Sequence, residues 1–282
     1  MICFSIIIPT YNRASVLSRA LDSVLNQSYK DFEIIVVDDG STDNTEQVIR
    51  TYTNAEVIYS RQVNKGVSAA RNFGTSKTSG NYLIFIDSDD YLAPNALEYF
   101  YNGIVESKAD LIHSGLKFIY QDGRSELKSP RDPYNTGKLT KTGIQLVGTF
   151  CLKTELFKRV GGYDEFLTYG ENTELFWRLN NEIIQSHIID EVTINVTRDS
   201  ESRASTAPEN IINSISYILG KHQSFLKINK NIHWLYLNNL GVAYQKSGKI
   251  KNALNSFLKA LAIYPWRWKT YIRIVLSVVR YY

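Results

Sequence analysis

The first hundred residues alternate between two hydrophobic patterns, and this alternation constrains the fold more than any other feature of the chain. Short apolar runs typical of buried strands occupy 2–9, 32–39, 55–61 and 82–87. Segments with apolar residues at helical spacing follow them, at 14–27, 45–52, 66–77 and 94–107. Such alternation predicts right-handed crossovers and a Rossmann-like α/β fold with a mainly parallel sheet. Because the strand runs are almost continuously apolar, we expect helices on both faces of the sheet.

The composition is that of a folded globular protein. Of the 282 residues, 44% are hydrophobic and 21% are charged, which disfavours disorder and allows one large domain or two smaller ones. Only Cys3 and Cys151 are available for disulfides, which favours a reducing compartment. The amino terminus lacks the basic segment of a signal peptide, and no apolar run approaches the roughly 18 residues of a membrane span. We therefore expect a cytoplasmic protein.

The chain changes character near residue 209, beyond which every pattern is helical. Eleven of the 32 Lys and Arg residues lie in 221–282, where there is no Asp or Glu. The net charge of +4 therefore divides into −7 over 1–220 and +11 over 221–282. Within this part, 235–265 resembles one tetratricopeptide repeat, which is a helical hairpin packed through small residues. We predict an α/β domain over 1–208 and a basic helical region over 209–282.

Polar residues gather at the predicted carboxyl ends of the strands, where open parallel sheets bind their ligands. The first strand is followed by "PTYNR" (9–13), the second by "DDGSTDNT" (38–45) and the fourth by "DSDD" (87–90). Carboxylates crowded at one rim repel one another, and a divalent cation such as Mg²⁺ or Mn²⁺ relieves that repulsion. The chain has neither the GxGxxG of dinucleotide-binding sheets nor the GxxxxGK[ST] of phosphate loops. The pattern favours a nucleotide held by aromatic, Asp and Arg side chains and a metal.

Five motifs in series resemble the family 2 inverting glycosyltransferases, which have the GT-A fold. They span about residues 3–180 and read "SIIIPTYNR", "VVDDGSTDNT", "NKGVSAARNFG", "FIDSDD" and "GGYDEFLTYGENTELFWRL". The resemblance implies four contacts to the base of a nucleotide sugar, usually UDP, from Pro9, Tyr11, Asp39 and Arg71. Tyr11 would stack on the base, and Asp39 would accept its N–H.

The same resemblance assigns the diphosphate end of the donor. It implies that Asp87 lies near the ribose and that Asp89 holds Mn²⁺ or Mg²⁺ on the diphosphate. A looser similarity places Arg198 and Arg203 near the diphosphate as well.

The stretch "YGENTELFWRLNN" (169–181) departs from that family at one position. The family carries a carboxylate there, which acts as the general base toward the acceptor hydroxyl, whereas this chain carries Asn172. A carboxamide has no basic lone pair near neutral pH, and losing a general base costs about 10²–10⁴-fold in rate. Three explanations stay open: Asn172 is an engineered change, Glu171 takes over as base, or the protein binds donor without efficient transfer.

A helical wheel at about 100° per residue separates the side chains of this stretch. Asn172 falls with the apolar residues on the inward face. Glu171, Glu174 and Arg178 fall on another face, so we expect Glu174 to face solvent and to pair with Arg178 at i, i+4.

The resemblance implies a metal-dependent inverting glycosyltransferase that moves a sugar from a nucleotide donor to a hydroxyl of a growing glycan. The alternative is a donor-binding homologue with weak or no turnover, because of Asn172. Trp and Tyr residues interleave with the basic residues of 209–282, which suits a membrane surface, although nucleic acid would leave a similar footprint. We expect a lipid-linked glycan acceptor at the inner face of the membrane and no nucleic acid.

Overall fold

The computed structural model describes residues 3–52, 57–130, 146–182, 184–198 and 207–279. The chain forms two compact units. The first comprises Met1–Glu165 and Glu171–Ser200, and the second comprises Phe166–Gly170 and Glu201–Tyr282. The functional boundary that the sequence suggests between 208 and 209 stays a prediction.

A parallel sheet forms the first half of the first unit, as the alternation predicts. Its strands are β1 (Phe4–Thr10), β2 (Phe32–Asp38), β3 (Val57–Arg61) and β4 (Tyr82–Phe85). They lie side by side in the order β3-β2-β1-β4, all parallel. Successive side chains point to opposite faces, so Ile6 and Ile8 enter one core cluster and Ile7 enters the other. Both faces of these strands are therefore buried.

The second half of the sheet is mixed. Its strands are β5 (Tyr91–Leu92), β6 (Leu111–Tyr120), β7 (Ser125–Lys128), β8 (Phe150–Lys153) and β9 (Ser186–Arg198). Strand β8 runs antiparallel between β4 and β6, while β9 pairs in parallel with β6. The short β5, which follows the acidic "DSDD" stretch, pairs antiparallel with β9. The end of β9 is thereby brought beside the acidic loop.

Helices cover both faces of this sheet, as the apolar strands require. In the first unit they are α1 (Leu17–Leu25), α2 (Thr45–Arg50), α3 (Val67–Thr75), α4 (Ala96–Ser107), α5 (Thr154–Arg159) and α6 (Glu171–Leu179). Leu21 of α1 and Phe100 of α4 belong to one core cluster. Ala70 of α3, Phe157 of α5 and Phe176 of α6 belong to the other. Helices α3 and α6 therefore share one face of the sheet, and both contribute site residues.

The described residues from 207 onward are helical. The helices are α7 (Pro208–Lys221), α8 (Gln223–Ile228), α9 (Lys230–Lys246), α10 (Ile250–Ile263) and α11 (Trp268–Val279). The predicted hairpin is formed by α9 and α10, which meet at Gly248, a residue with a φ of 72°. A Cβ atom at Gly241 would overlap the ring of Phe257, so the close packing of the two helices depends on that glycine. Among the described helices, none has both the length and the apolar content needed to cross a bilayer.

Candidate active site

The loops after β1 and β2 are joined to each other, and they present Tyr11 at the rim of the sheet. The backbone N–H of Asn12 donates to Ser41 Oγ at 2.9 Å, and Asn12 Oδ1 accepts from the Thr42 N–H at 2.7 Å. Asn12 takes a left-handed φ of 52°, a conformation that Asn tolerates better than most residues. Tyr11 remains 46% exposed, so its ring is accessible for stacking, whereas Pro9 is buried within β1.

Asp38 and Asp39 have different surroundings. Asp38 stabilises the turn after β2, since its Oδ1 accepts from the Ser41 N–H at 2.7 Å and its Oδ2 accepts from the Tyr59 hydroxyl at 3.0 Å. Burial and the hydrogen bond to Asp38 raise the pKa of Tyr59 to about 12. Asp38 therefore has a turn-forming role.

Asp39 is buried, and described groups already take three of its acceptor sites. Its Oδ1 accepts from Gln62 Nε2 at 2.7 Å and from the Lys65 N–H at 2.8 Å, and its Oδ2 accepts from the Gly66 N–H at 2.8 Å. An ionised carboxylate offers about four acceptor sites. One site remains for an external donor, so the base contact proposed for Asp39 stays a prediction.

Three carboxylates converge in the loop between β4 and β5. Carboxylate oxygens of Asp87, Asp89 and Asp90 lie within 4.8 Å of one another. Asp90 Oδ1 accepts from the Thr197 N–H of β9 at 2.9 Å. Arg19 Nη2 fixes the same loop by donating to the Asp89 carbonyl at 2.6 Å. Clustered carboxylate oxygens are the donor type that Mg²⁺ and Mn²⁺ prefer, so this loop fits a divalent cation.

Arg71 joins the acidic loop to the start of α6. Its Nη2 donates to Asp87 Oδ1 at 2.8 Å, and its Nη1 donates to Glu171 Oε1 at 3.2 Å. The Arg71 side chain is 2% exposed, and its guanidinium lies 5.0 Å from the centre of the Tyr163 ring. Burial by itself would lower the pKa of Arg71, but Tyr163, Asp87 and Glu171 together raise it above its ordinary value. Arg71 is therefore a permanent buried cation between two carboxylates.

Asn172 lies beside this bridge, in a fixed orientation. Its Oδ1 accepts from the Tyr163 hydroxyl at 2.9 Å, and its Nδ2 lies 3.4 Å from Glu171 Oε1. Burial raises the pKa of Tyr163 above its ordinary value, which keeps the phenol protonated as the donor. The Tyr163 backbone is held in turn by the Asn72 side chain, which accepts from its N–H and donates to its carbonyl, both at 2.8 Å. The amide at 172 is thus oriented by an ordered network and cannot act as a base.

Glu174 does not face solvent, so that part of the helical-wheel prediction is wrong. Its side chain is 0% exposed, although it does pair with Arg178, at 2.7 Å. The Arg178 guanidinium also donates to the Val160 carbonyl at 2.5 Å, so the pair connects α6 to the end of α5. The wheel assigned an acid to the solvent face, whereas a charged side chain can be buried when an oppositely charged side chain lies beside it, as the partly buried Arg178 does.

The structure describes only one of the two arginines predicted to lie near the diphosphate. Arg198 ends β9, directly after Thr197, and its guanidinium lies 4.3 Å from the centre of the Phe118 ring. Arg203 lies outside the described residues. The structure thus brings Arg71, Asp87, Glu171 and Asn172 into one network, while Tyr11 and Asp39 belong to the loops after β1 and β2.

Sequence reasoning missed Tyr163 and Arg19. Tyr163 belongs to the quoted "GGYDEF" stretch, and two glycines with positive φ, Gly161 and Gly162, precede it. A tight turn that ends in an aromatic residue was the available signal. Arg19 carried no local signal, because its contacts lie far along the chain, in the acidic loop and at Thr197.

The fold and this network define the class of protein: an α/β protein whose polar side chains gather at the carboxyl ends of its strands, where sheets of this kind bind ligands. The chain belongs to glycosyltransferase family 2, because the model of that family, described as "Glycosyl transferase family 2", matches residues 5–160. It is a glycosyltransferase, as the resemblance in the sequence implied.

Individual proteins agree with this assignment. An uncharacterized glycosyltransferase of Rickettsia typhi is 28% identical over 266 residues, covering 88% of this chain and 81% of its own length. A poly(ribitol-phosphate) beta-glucosyltransferase of Bacillus spizizenii is 40% identical over 131 residues, 44% of this chain and 20% of its own. The crystal structure of S. aureus TarS 1-349 in complex with UDP-GlcNAc superposes with a TM-score of 0.70 at 21% identity, over 98% of this chain and 89% of that chain. The TarS likeness confirms the GT-A fold.

Proposed function

We propose that this glycosyltransferase is a metal-dependent, inverting enzyme that transfers a sugar from a UDP donor to a hydroxyl of a growing glycan. Crystal structures of TarS in complex with UDP-GlcNAc and with UDP support the donor class. The name of the B. spizizenii relative, a poly(ribitol-phosphate) beta-glucosyltransferase, supports a polymeric acceptor.

The observation that carries this proposal is the Arg71 bridge. One buried guanidinium contacts Asp87, which the resemblance assigns to the donor, and Glu171, which adjoins the position of the base. Sugar transfer needs donor and acceptor groups held in a fixed relation, and positioning of this kind lowers the barrier substantially. A single side chain that fixes one carboxylate at the proposed donor site and another at the proposed acceptor site suits that requirement.

The acidic loop would hold the metal, with Asp89 as the principal ligand and Asp87 and Asp90 close enough to share it. When bound, such a cation neutralises the charge that develops on the departing nucleoside diphosphate. In the same proposal Tyr11 stacks on the nucleotide base and Pro9, Asp39 and Arg71 line its site. Arg198 and Arg203 supply positive charge near the diphosphate.

Glu171 is the base in this proposal, in place of the residue at 172. Its Oε1 is held by Arg71 and faces the Asn172 amide, and among the described residues no hydrogen bond reaches Oε2. The Oε2 atom is therefore available to take the proton from the acceptor hydroxyl as that hydroxyl attacks the anomeric carbon. Asn172 orients the acceptor without accepting its proton.

A second candidate is a donor-binding homologue with weak or no turnover, natural or engineered. The observation that favours it is the Asn172 amide itself, which cannot replace a carboxylate as base. Under this reading Asn172→Asp raises turnover by about 10²–10⁴-fold from a low level. Under the Glu171 reading the wild type is already active and Asn172→Asp changes the rate little.

The test is a panel of nucleotide sugars scored by UDP release, with Mn²⁺, with Mg²⁺ and with a chelator. We expect one UDP-sugar to be turned over, and only with a divalent cation present. Turnover that persists in chelator contradicts the metal assignment. Binding of UDP to the protein, with no UDP released from any pair of donor and acceptor tried, favours the second candidate.

We also propose that the enzyme works in the cytoplasm, peripheral to the inner face of the membrane, on a lipid-linked glycan. The support is the charge of +11 over 221–282, since anionic lipid attracts clustered Lys and Arg. Co-fractionation with membranes that high salt weakens is the expected behaviour. A protein found entirely in the soluble fraction at low salt contradicts this placement.

A further inference from the structure

In helix α11 the usual arrangement of a surface helix is reversed, with polar residues buried and apolar residues exposed. Its two buried residues, Thr270 and Ser277, are polar. Most of its exposed residues are large and apolar, and they are Trp268, Tyr271, Ile272, Val275, Leu276, Val278 and Val279. A surface helix normally places its apolar residues inward and its polar residues outward. The orientation of α11 therefore needs an explanation.

Polar contacts within the second unit hold α11 in this orientation. Thr270 Oγ1 and Arg273 Nη1 both donate to Oδ1 of the buried Asn238 on α9, at 3.2 and 2.8 Å. Farther along α9, Gln245 Nε2 donates to Ser277 Oγ at 2.5 Å and to the Arg273 carbonyl at 3.1 Å. Because these hydrogen bonds fix one side of α11 against α9, the apolar side is turned outward.

The exposed apolar residues recur at helical spacing and form one stripe. Its core is Trp268, Ile272, Val275 and Val279, at intervals of four, three and four residues. Trp266, which is also exposed, precedes the helix at the same end as Trp268. Indole rings near basic residues are favoured at the boundary between lipid headgroups and acyl chains.

We propose that this stripe inserts into the surface of an anionic lipid bilayer, with α11 lying in the membrane plane. The inference rests on the membrane association proposed above and names the element that makes the contact. Twelve residues of α-helix measure about 18 Å, which is well short of the roughly 30 Å hydrocarbon core. A helix of this length with one apolar side lies along the interface.

Charge favours a bilayer over a symmetric pair of chains as the occupant of the stripe. Residues 221–282 carry eleven Lys or Arg and no acid, so two copies that met through α11 would place like charges together. Lys249 pairs with an acid outside this segment, Glu209, at 2.8 Å. Lys269, in the first turn of α11, has its ammonium over the ring of Trp268, so a cation lies beside the stripe. An anionic bilayer offers both the apolar interior for the stripe and negative headgroups for these cations.

The test compares two single-residue variants by co-sedimentation of the full chain with vesicles of phosphatidylglycerol in phosphatidylcholine. Val275→Asp places a carboxylate in the stripe, where the side chain is 59% exposed. Leu258→Asp, on α10, is the matched control, because it adds the same charge at a residue that is 58% exposed. We expect the wild type to bind, Val275→Asp to lower the partition coefficient at least about tenfold, and Leu258→Asp to leave it nearly unchanged.

Tryptophan fluorescence gives an independent readout of insertion. Emission should shift to shorter wavelength on adding these vesicles, and the shift should be smaller in Trp268→Phe than in the wild type, with the exposed Trp266 contributing the rest. The inference is overturned if both Asp variants bind vesicles as the wild type does, or if the wild type does not bind. It is also overturned if the wild type is a dimer that Val275→Asp dissociates, with no vesicle binding, since the occupant is then a second copy.

Binding of UDP, measured by calorimetry without vesicles, separates this inference from the proposed function. Val275→Asp should bind UDP as the wild type does, because the residues proposed to contact the base, the ribose and the metal lie in the first unit. If the wild type binds vesicles but not UDP, the proposed donor fails and the inference about α11 stands. If it binds UDP but not vesicles, the inference fails and the proposed donor stands.

Discussion

The Glu171→Gln variant tests the assignment of the base most sharply. The side chain is 16% exposed, and its Oε1 accepts from Arg71 at 3.2 Å. Gln has nearly the same shape, and its carbonyl oxygen can keep that contact with Arg71. What the substitution removes is the second carboxylate oxygen, which becomes an amide nitrogen without basicity.

The expected loss is about 10²–10⁴-fold in kcat, which corresponds to roughly 2.7–5.4 kcal/mol of transition-state stabilisation at 1.36 kcal/mol per tenfold change. The KM for the donor should change little, because the carboxylate at 171 acts on the acceptor. The assay is the initial rate of UDP release at saturating acceptor and metal. The double variant Glu171→Gln/Asn172→Asp is the rescue control, since it returns a carboxylate to the family's base position beside the Tyr163 hydroxyl. Wild-type kcat in Glu171→Gln, with the fold intact, would refute the assignment.

Four further variants, one of them a control, test the metal, the hairpin and the ion pair between Glu174 and Arg178. Asp89→Asn should raise the Mn²⁺ concentration needed for half-maximal UDP release by about tenfold or more, because it removes one charged ligand. An unchanged metal titration contradicts the assignment. Gly241→Ala forces a methyl group against Phe257 and should lower the free energy of unfolding by about 1–3 kcal/mol, measured by urea denaturation, and an unchanged midpoint would contradict that packing. Glu174→Ala should lower the free energy of unfolding by about 3 kcal/mol, since it removes the fully buried partner of Arg178, whose own side chain is 19% exposed, whereas Glu182→Ala, at an exposed ion pair, should lower it by at most about 1 kcal/mol. Equal losses in those two variants would show that burial of the pair does not matter.

The first half of the fold was predictable from sequence because its signals are local. Each strand and each helix up to α4 is indicated by a pattern within about ten consecutive residues, and the parallel order follows from the handedness of the crossovers. The hairpin of α9 and α10 was predictable for the same reason. Its Gly241 and Phe257 lie one on each helix, at the spacing of a known repeat.

The second half of the sheet was less predictable because its pairings are non-local. The partner of β5 is β9, about a hundred residues later, and β8 inserts between β4 and β6. No pattern within a strand specifies such neighbours. The outward side of α11 was unpredictable in the same way, since its orientation depends on Asn238 and Gln245 of another helix.

At the candidate site, the sequence indicated which residues belong to the site, but it did not indicate which residues they contact. The stretches that contain Arg71, Asp87 and Asn172 were identified from the sequence, but their mutual contacts were not. The bridge from Arg71 to Glu171 joins positions a hundred residues apart. The Tyr163 hydroxyl donates to Asn172, and this contact depends on the conformation of the turn after α5.

The central claim is inverting, metal-dependent sugar transfer with the base at Glu171, and the anomeric configuration of the product tests it most directly. The measurement is the proton coupling at the anomeric carbon of the transferred sugar, by NMR, after reaction of the active UDP-sugar with acceptor and Mn²⁺. We predict that an α-linked donor gives a β-linked product, that chelator prevents its formation, and that Glu171→Gln forms it at least about a hundredfold more slowly. A product that retains the α configuration, or one that forms equally fast in Glu171→Gln, would contradict the account.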